Sequence, residues 1–186
     1  MQLTALILSG GESKRAGTDK GLKTTDGVIW VDLIAQKLKE VGLIIKVSIN
    51  QQQLINYSQH YPSANLIVDK IDAPGPLKGI LTAHQFFPKT NWLVVACDMI
   101  DLDLETINEI ISLANQNPNF DFYTFKNSKF HQPFCAIYSA TALEKINKAY
   151  QNNNIENFSL QHIFNSYTTK SIVIDDDFKA FNNYNS

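Results

Sequence analysis

Short apolar runs alternate with amphipathic stretches along most of the chain. Strands are predicted at residues 3–9, 44–49, 66–68, 92–97, 120–125, 134–138 and 171–174, and helices at residues 31–41, 80–87, 104–114, 140–150 and 160–164. In the first helix, apolar residues recur at helical spacing from Val31 to Val41, and Gly42 provides a stop. This alternation predicts an α/β fold, with a mostly parallel sheet covered by helices on both faces. Residues 1–186 are expected to form a single domain.

A glycine-rich segment follows the first predicted strand. Gly10 and Gly11 allow a sharp turn and a close approach of the backbone to a ligand, because neither carries a Cβ atom. Lys14, Arg15 and Lys20 add positive charge to the same segment. Proteins hold phosphate oxygens with backbone N–H groups and cationic side chains. The segment therefore predicts an enzyme that uses a nucleotide.

Two common phosphate-binding loops do not match this segment. A P-loop has the pattern GxxxxGK[S/T], whereas five residues separate Gly11 from Gly17 here and Thr18-Asp19 follows. The dinucleotide-binding pattern GxGxxG is also absent.

Polar residues stand where several predicted strands end. Asn50 follows the second strand, Asp69 the third and Asp98 the fourth. Open parallel sheets bind ligands beyond the carboxyl ends of their strands, so these side chains are expected at one edge together with Gly10. Asp98 is predicted to bind Mg²⁺, because an enzyme that acts on a nucleoside triphosphate needs a cation on the phosphates and Mg²⁺ prefers carboxylate oxygens. A capping or turn role is the alternative for each residue taken alone.

The glycine-rich segment resembles the signature loop of nucleotidyltransferases. The matching positions are Gly10, Gly11, Ser13, Arg15, Gly17, Asp19, Lys20 and Leu22, while Ala16 stands where methionine is usual. Within that superfamily, residues 19–22 are most similar to the molybdenum cofactor guanylyltransferases. Residues 74–80 resemble that family's G-P-L-x-G-I/M pattern, and residues 97–100 stand where its members carry a metal-binding aspartate.

The resemblance implies a three-layer α/β/α fold with a mostly parallel, Rossmann-like sheet of the nucleotide-diphospho-sugar transferase type. It implies transfer of GMP from GTP to the molybdopterin-bound molybdenum cofactor, with pyrophosphate as the second product and Mg²⁺ as the cofactor. Cofactor-biosynthesis proteins and molybdoenzymes are the further partners that it implies.

Site residues are carried over by the same resemblance. Arg15, Lys20 and Asp98 are expected to act in catalysis, with Asp98 as the metal ligand. Nucleotide binding is expected from Leu8, Ser9, Gly10, Gly11, Lys20, Ser48, Asn50, Asp69, Gly79 and Asp98. Ser48 replaces the first asparagine of the family's Asn-x-Asn pattern. The residues expected near the acceptor are His131, placed before the strand at 134–138, and Asn183 and Asn185, in a closing segment like the family's F-x-N-x-N-T.

Composition and charge fit a globular protein that binds a small anion. Hydrophobic residues make up 44%, charged residues 18%, and the net charge is −2, which argues against nucleic acid or an anionic membrane as the main partner. No apolar run approaches the roughly 20 residues that span a bilayer, and the first residues carry no secretory signal pattern. Cys97 and Cys135 lie in apolar runs, as expected for buried thiols in a reducing cytoplasm.

Two alternatives stay open on the sequence alone. One is a nucleotidyltransferase with a sugar-phosphate, alcohol-phosphate or corrinoid-precursor acceptor, because the glycine-rich loop reads the triphosphate and not the acceptor. The other is a nucleotide-binding partner protein without catalytic activity, which the departures at Ala16 and Ser48 would allow.

Overall fold

The computed structural model describes residues 2–10 and 19–182. The strands in this part of the chain are β1 (Leu3–Leu8), β2 (Thr24–Thr25), β3 (Val28–Ile29), β4 (Ile44–Ile49), β5 (Leu66–Val68), β6 (Asn91–Ala96), β7 (Phe122–Lys126), β8 (His131–Tyr138) and β9 (Thr169–Val173). The helices are α1 (Trp30–Glu40), α2 (Leu54–Tyr57), α3 (Leu77–Phe86), α4 (Leu104–Gln116), α5 (Ala140–Gln151) and α6 (Leu160–Ser166). Within the described residues, no helix combines the length and apolar character needed to cross a membrane.

Seven strands form one sheet in the order β5-β4-β1-β6-β8-β7-β9. All neighbouring strands are parallel except that β8 runs antiparallel to both β6 and β7. From β1 the chain moves outward to β4 and β5 and then returns to β6 on the other side of β1. The strand order therefore reverses between β1 and β6, and this is the position at which open α/β sheets form a ligand crevice.

Two separate hydrophobic cores cover the two faces of the sheet. In β1, Ala5 and Ile7 pack in the core that contains α1 and α4, while Leu6 and Leu8 pack in the core that contains α3, α5 and α6. Successive side chains of a strand point to opposite faces, so a strand buried on both sides has an unbroken apolar sequence. The predicted three-layer α/β/α arrangement is confirmed.

The helix boundaries follow local capping signals. Asp103 caps α4 by accepting a hydrogen bond from the Thr106 N–H at 2.7 Å. Gly42 follows α1 with a φ of 80°, which glycine adopts without steric cost. The helix predicted from residue 80 begins at Leu77, because Pro76 stands at its N-cap, where a missing N–H costs nothing.

The strand predicted at 134–138 begins earlier, at His131, which pairs with Lys126 of β7. The register of β7 against β8 then shifts. Pro133 lacks an N–H for the ladder, and Cys135 has a φ of 52°, as in a bulged strand. The expectation that His131 precedes the strand in a polar segment is wrong, because an irregular pairing extends the strand across the proline.

Candidate functional site

A cation and a carboxylate meet at the crevice between β1 and β6. Lys20 Nζ lies 3.4 Å from Asp98 Oδ2, and the two side chains are 30% and 12% exposed. Lys20 begins a single 3₁₀ turn, and Asp98 lies in the turn that follows β6. The Cys97 N–H donates to the Leu8 carbonyl at 3.1 Å, which ties the chain beyond β6 to the end of β1. The structure thus brings together Lys20 and Asp98, which the sequence separates by 78 positions.

A second carboxylate lies at the ends of β4 and β5. The Ser48 hydroxyl donates to Asp69 Oδ1 at 2.8 Å. Burial raises the pKa of Asp69 above its ordinary value, and the Ser48 hydrogen bond and the positive charge of Lys78 oppose this rise. Gly10 packs directly against the same carboxylate, since a Cβ on residue 10 would lie 2.8 Å from Asp69 Oδ2.

Gly79, in the first turn of α3, packs against Ser48. A Cβ on residue 79 would lie 2.3 Å from Ser48 Oγ and 3.0 Å from Leu8 Cδ2, so no larger residue fits without displacing its neighbours. Ser48 is 1% exposed, and its hydroxyl is directed to Asp69. Ser48 therefore orients the Asp69 carboxylate within the protein.

The backbone at the end of β1 is occupied by internal hydrogen bonds. The N–H groups of Ser9 and Gly10 both donate to the Ser48 carbonyl, at 2.9 and 3.0 Å. In this structure, these two N–H groups are therefore not available for the nucleotide binding expected of Ser9 and Gly10. Because β1 and β4 are parallel neighbours, the ladder continues past the last strand residue and uses these donors.

Asn50 caps the short turn that follows β4. Its side-chain oxygen accepts from the N–H groups of Gln52 and Gln53, at 2.9 and 3.1 Å, and the Gln53 carboxamide oxygen accepts in return from the Asn50 N–H at 2.8 Å. This reciprocal pair is a capping box. The carboxamide oxygen of Asn50 therefore has a capping role, which was the alternative to ligand binding for this residue.

Three polar residues that lie beside the site were not predicted from the sequence as site residues: Asp19, Gln53 and Tyr57. Tyr57 and Gln53 both donate to the Asp19 carboxylate, at 3.0 and 2.7 Å. The spacing of Asn50 and Gln53 matches a capping box, which was an available signal for this turn. Nothing local in the sequence indicates the contact of Tyr57 with Asp19, 38 positions away.

His131 makes its contacts on another part of the sheet. Its Nδ1 lies 3.2 Å from Thr124 Oγ1 and 3.4 Å from Ser171 Oγ, and its ring packs on Phe164 with centroids 5.6 Å apart. Burial, assisted by the positive charge of Lys126, lowers the pKa of His131. The structure does not bring His131 into contact with Lys20 or Asp98.

Several predicted site residues lie outside the described residues. These are Gly11, Arg15, Asn183 and Asn185. The described chain ends close to the loop that follows β6, because Asn182 Nδ2 donates to Asp101 Oδ2 at 3.0 Å. The start of the closing segment therefore contacts a residue that lies three positions after Asp98 in the chain.

Across residues 2–10 and 19–182, no group of three or more His, Cys, Asp or Glu side chains is arranged to hold a metal ion. A cavity of about 180 Å³ lies between α5 and α6, lined by residues that include Ile146, Glu156 and Tyr167. None of its lining residues belongs to the cluster at the strand ends. The polar side chains at the ends of β1, β4, β5 and β6 therefore lie outside this cavity.

The fold is of the nucleotide-diphospho-sugar transferase type. A solved structure described as molybdopterin-guanine dinucleotide biosynthesis protein A from Archaeoglobus fulgidus superposes with a TM-score of 0.75. The match covers 98% of this chain and 92% of that one, at 18% sequence identity. At 18% sequence identity, this structural similarity establishes the fold alone.

The family is shown by sequence. The model of the MobA-like NTP transferase domain matches residues 5–166, and the chain belongs to this family of nucleotidyltransferases. A molybdenum cofactor biosynthesis bifunctional protein of Synechocystis sp. is 33% identical over 153 residues, which cover 79% of this chain and 42% of that longer protein. A probable molybdenum cofactor guanylyltransferase of Methanocaldococcus jannaschii is 25% identical over 195 residues, covering 99% and 94% of the two chains.

Proposed function

We propose that this protein transfers GMP from GTP to the molybdopterin-bound molybdenum cofactor and releases pyrophosphate. The observation that carries the proposal is the contact of Lys20 with Asp98 at the switch point between β1 and β6. Membership of the MobA-like family supports nucleotidyl transfer, and the names of the relatives support guanine and the pterin acceptor.

The reaction is a single displacement at phosphorus. An oxygen of the terminal pterin phosphate attacks the α-phosphorus of GTP, and the bond from that phosphorus to the bridging oxygen of the β-phosphate breaks. Pyrophosphate leaves with the electron pair of that bond, so no covalent intermediate on the protein is required. The protein contributes positioning and charge neutralisation, as in phosphoryl transfer generally. Lys20 supplies positive charge to the triphosphate, and Arg15 is proposed to do the same.

Asp98 is the proposed ligand of Mg²⁺. The side chain fits this role, because its carboxylate is a hard oxygen donor on a short turn directly after a buried strand, with part of its surface accessible. Mg²⁺ is commonly held by one or two carboxylates together with substrate phosphates, so a larger protein ligand set is unnecessary. When bound, the cation would neutralise the triphosphate and the leaving pyrophosphate.

Asp69 is the proposed acceptor for the nucleobase. Guanine carries ring and amino N–H donors, and a carboxylate accepts from both. The Ser48 hydroxyl holds one carboxylate oxygen, and the glycines at positions 10 and 79 keep side chains away from Asp69 and Ser48. A carboxylate fixed in this way favours guanine, because its ring N–H and amino group are adjacent donors that can face the two carboxylate oxygens together.

Thermal unfolding in the presence of GTP, ATP, CTP or UTP, each with Mg²⁺, tests nucleotide choice. A nucleotide that binds only the folded protein stabilises it by about 2.7 kcal/mol when present at one hundred times its Kd. We expect GTP to raise Tm well above the other three, and Asp69→Asn to remove this preference. Equal shifts with all four nucleotides, or a larger shift with CTP, would contradict the assignment of guanine.

A further inference from the structure

The side chains of Gln53 and Tyr57 each bridge the same two residues, Ser9 and Asp19, which lie on either side of the glycine-rich segment. Gln53 Nε2 donates to the Ser9 carbonyl at 3.0 Å and to Asp19 Oδ2 at 2.7 Å. The Tyr57 hydroxyl contacts Ser9 Oγ and donates to Asp19 Oδ1 at 3.0 Å. Both bridges therefore join residue 9, where β1 has just ended, to residue 19, which precedes Lys20.

The orientation of Gln53 is fixed from behind. Its carboxamide oxygen accepts from the Asn50 N–H within the capping box, so its Nε2 group must point the other way, toward Ser9 and Asp19. Gln53 is only 9% exposed. A buried carboxamide with both ends hydrogen-bonded is held in one orientation.

Tyr57 is fully buried, and burial raises its pKa well above the ordinary range. The phenol is therefore neutral and has one proton, which it donates to Asp19, so the Ser9 hydroxyl must donate to Tyr57. Asp19 accepts a third hydrogen bond from the Gly21 N–H at 3.0 Å. Gly21 lies against the bridge, since a Cβ on this residue would lie 2.1 Å from Ser9 Oγ.

The bridges place the two charged residues of the site by way of their chain neighbours. Asp19 is adjacent to Lys20. On the other side, Ser9 follows Leu8, whose carbonyl accepts at 3.1 Å from the N–H of Cys97, the neighbour of Asp98. We propose that Gln53 and Tyr57 are positioning residues that hold Asp19 against Ser9 and thereby set the Lys20 ammonium beside the Asp98 carboxylate. This inference rests on the proposed function for its catalytic consequence, whereas the bridges themselves can be tested without turnover.

Tyr57→Phe tests the bridge directly, with Tyr61→Phe as the matched control. Tyr61 is also a buried tyrosine and donates to a carboxylate, Asp32 Oδ1, at 2.5 Å. The measurement is hydrogen exchange of the Gly21 N–H in the protein alone, read by NMR. Tyr57→Phe removes one hydrogen bond to the charged Asp19 carboxylate, which also accepts from the Gly21 N–H. From the usual strength of such a bond, we expect the Gly21 N–H to exchange about tenfold faster. We expect no change at Gly21 in Tyr61→Phe. Unchanged exchange in Tyr57→Phe, or an equal increase in both variants, would overturn the proposal.

A double-mutant cycle with Lys20→Ala tests whether Tyr57 acts through Lys20. We expect Tyr57→Phe to lower kcat for GMP transfer about tenfold in the otherwise unchanged protein and to have no further effect when Lys20 is already alanine. The same tenfold loss in both backgrounds would show a general structural role and would overturn the positioning role. If the unchanged protein transfers no GMP, the proposed function fails, and the exchange measurement still decides whether the bridge exists.

Asp19→Asn is the second variant, and it keeps the size of the side chain in case Tyr57→Phe folds poorly. Tyr57 donates to one oxygen of Asp19 and Gln53 to the other. Asparagine has an NH₂ group in place of one of these oxygens, so one of the two donors would face another donor. We expect faster exchange at Gly21 and a lower kcat, as for Tyr57→Phe. Exchange at Gly21 as slow as in the unchanged protein would contradict the bridge.

Discussion

The hydroxyl of Ser48 holds one oxygen of the Asp69 carboxylate, with 2.8 Å between Oγ and Oδ1. Serine reaches this oxygen while leaving room for the helix start at Gly79, where a larger side chain would collide. Ser48 thus orients the Asp69 carboxylate, which is proposed to bind the nucleobase. In the family that the sequence resembles, an asparagine is expected at the position of Ser48. This cluster leads to two predictions about stability.

The pKa of Asp69 predicts a stability that depends on pH. Burial raises this pKa, against the opposing effects of Ser48 and Lys78. The folded state therefore binds more protons than the unfolded state. The contribution of Asp69 to stability falls as the pH rises from the unfolded pKa of about 3.9 through the higher folded pKa. Asp69→Asn removes the ionised carboxylate and keeps an acceptor for Ser48. We expect the Tm of Asp69→Asn relative to the unchanged protein to rise between pH 4 and pH 8.

Asp121 offers a control of opposite sign. Burial alone would raise its pKa, but hydrogen bonds from Thr168 and Lys145 outweigh this and lower it. Its stabilising contribution is present above the unfolded pKa and is lost as pH falls through the folded value. Asp121→Asn should therefore be less stable than the unchanged protein near pH 7, with a deficit that shrinks toward low pH. A pH-independent difference for Asp69→Asn would contradict the first of these two expectations.

The packing of Gly79 on Ser48 predicts an energetic coupling between the two positions. Gly79→Ala places a methyl group 2.3 Å from Ser48 Oγ, and overpacking of this kind costs about 1–3 kcal/mol. Ser48→Ala removes the obstructing oxygen, so the double variant should lose less stability than the sum of the single variants. Urea unfolding of the four proteins measures this coupling. Strictly additive losses would show that the two side chains do not compete for the same space.

Lys20 is predicted to supply charge stabilisation to the triphosphate. Lys20→Met keeps an unbranched side chain and removes the charge, and we expect kcat for GMP transfer to fall on the order of 10²-fold, as for loss of one preorganised group. Lys170→Met is the control, because that ammonium lies on β9 over the ring of Phe120, 5.7 Å from its centroid. A kcat equal to that of the control would place the Lys20 ammonium away from the reacting phosphates.

Asp98→Asn tests the metal assignment. The amide keeps the shape of the side chain but is a poor ligand for Mg²⁺, which prefers charged oxygen donors. We expect Mg²⁺-dependent turnover to be lost while Tm changes little. The measurement is the initial rate as a function of Mg²⁺ concentration, with circular dichroism as the check on folding. A Mg²⁺ titration that superposes on that of the unchanged protein would exclude Asp98 as the ligand.

Features that depend on residues close in the sequence were predictable. Asp98 stands directly after an apolar strand and Asp103 directly before a helical pattern, and both lie where these patterns indicate. The alternation of strands and helices likewise predicted the layers of the fold, because each element has a distinct period of apolar residues.

The bridging contacts could not be predicted in this way. Gln53 and Tyr57 reach Ser9 across 44 and 48 positions, and only the parallel pairing of β1 with β4 brings them near it. The position of His131 was missed for a related reason. A proline normally argues against a strand, but here an irregular register extends β8 across Pro133.

The central claim is tested most directly by following GTP that carries a radiolabel on its α-phosphate, together with Mg²⁺ and molybdenum-loaded molybdopterin. The proposed function predicts that the label moves into a guanine dinucleotide of the pterin, with pyrophosphate released in an equal amount. Binding of GTP without any movement of the label to the pterin would contradict it.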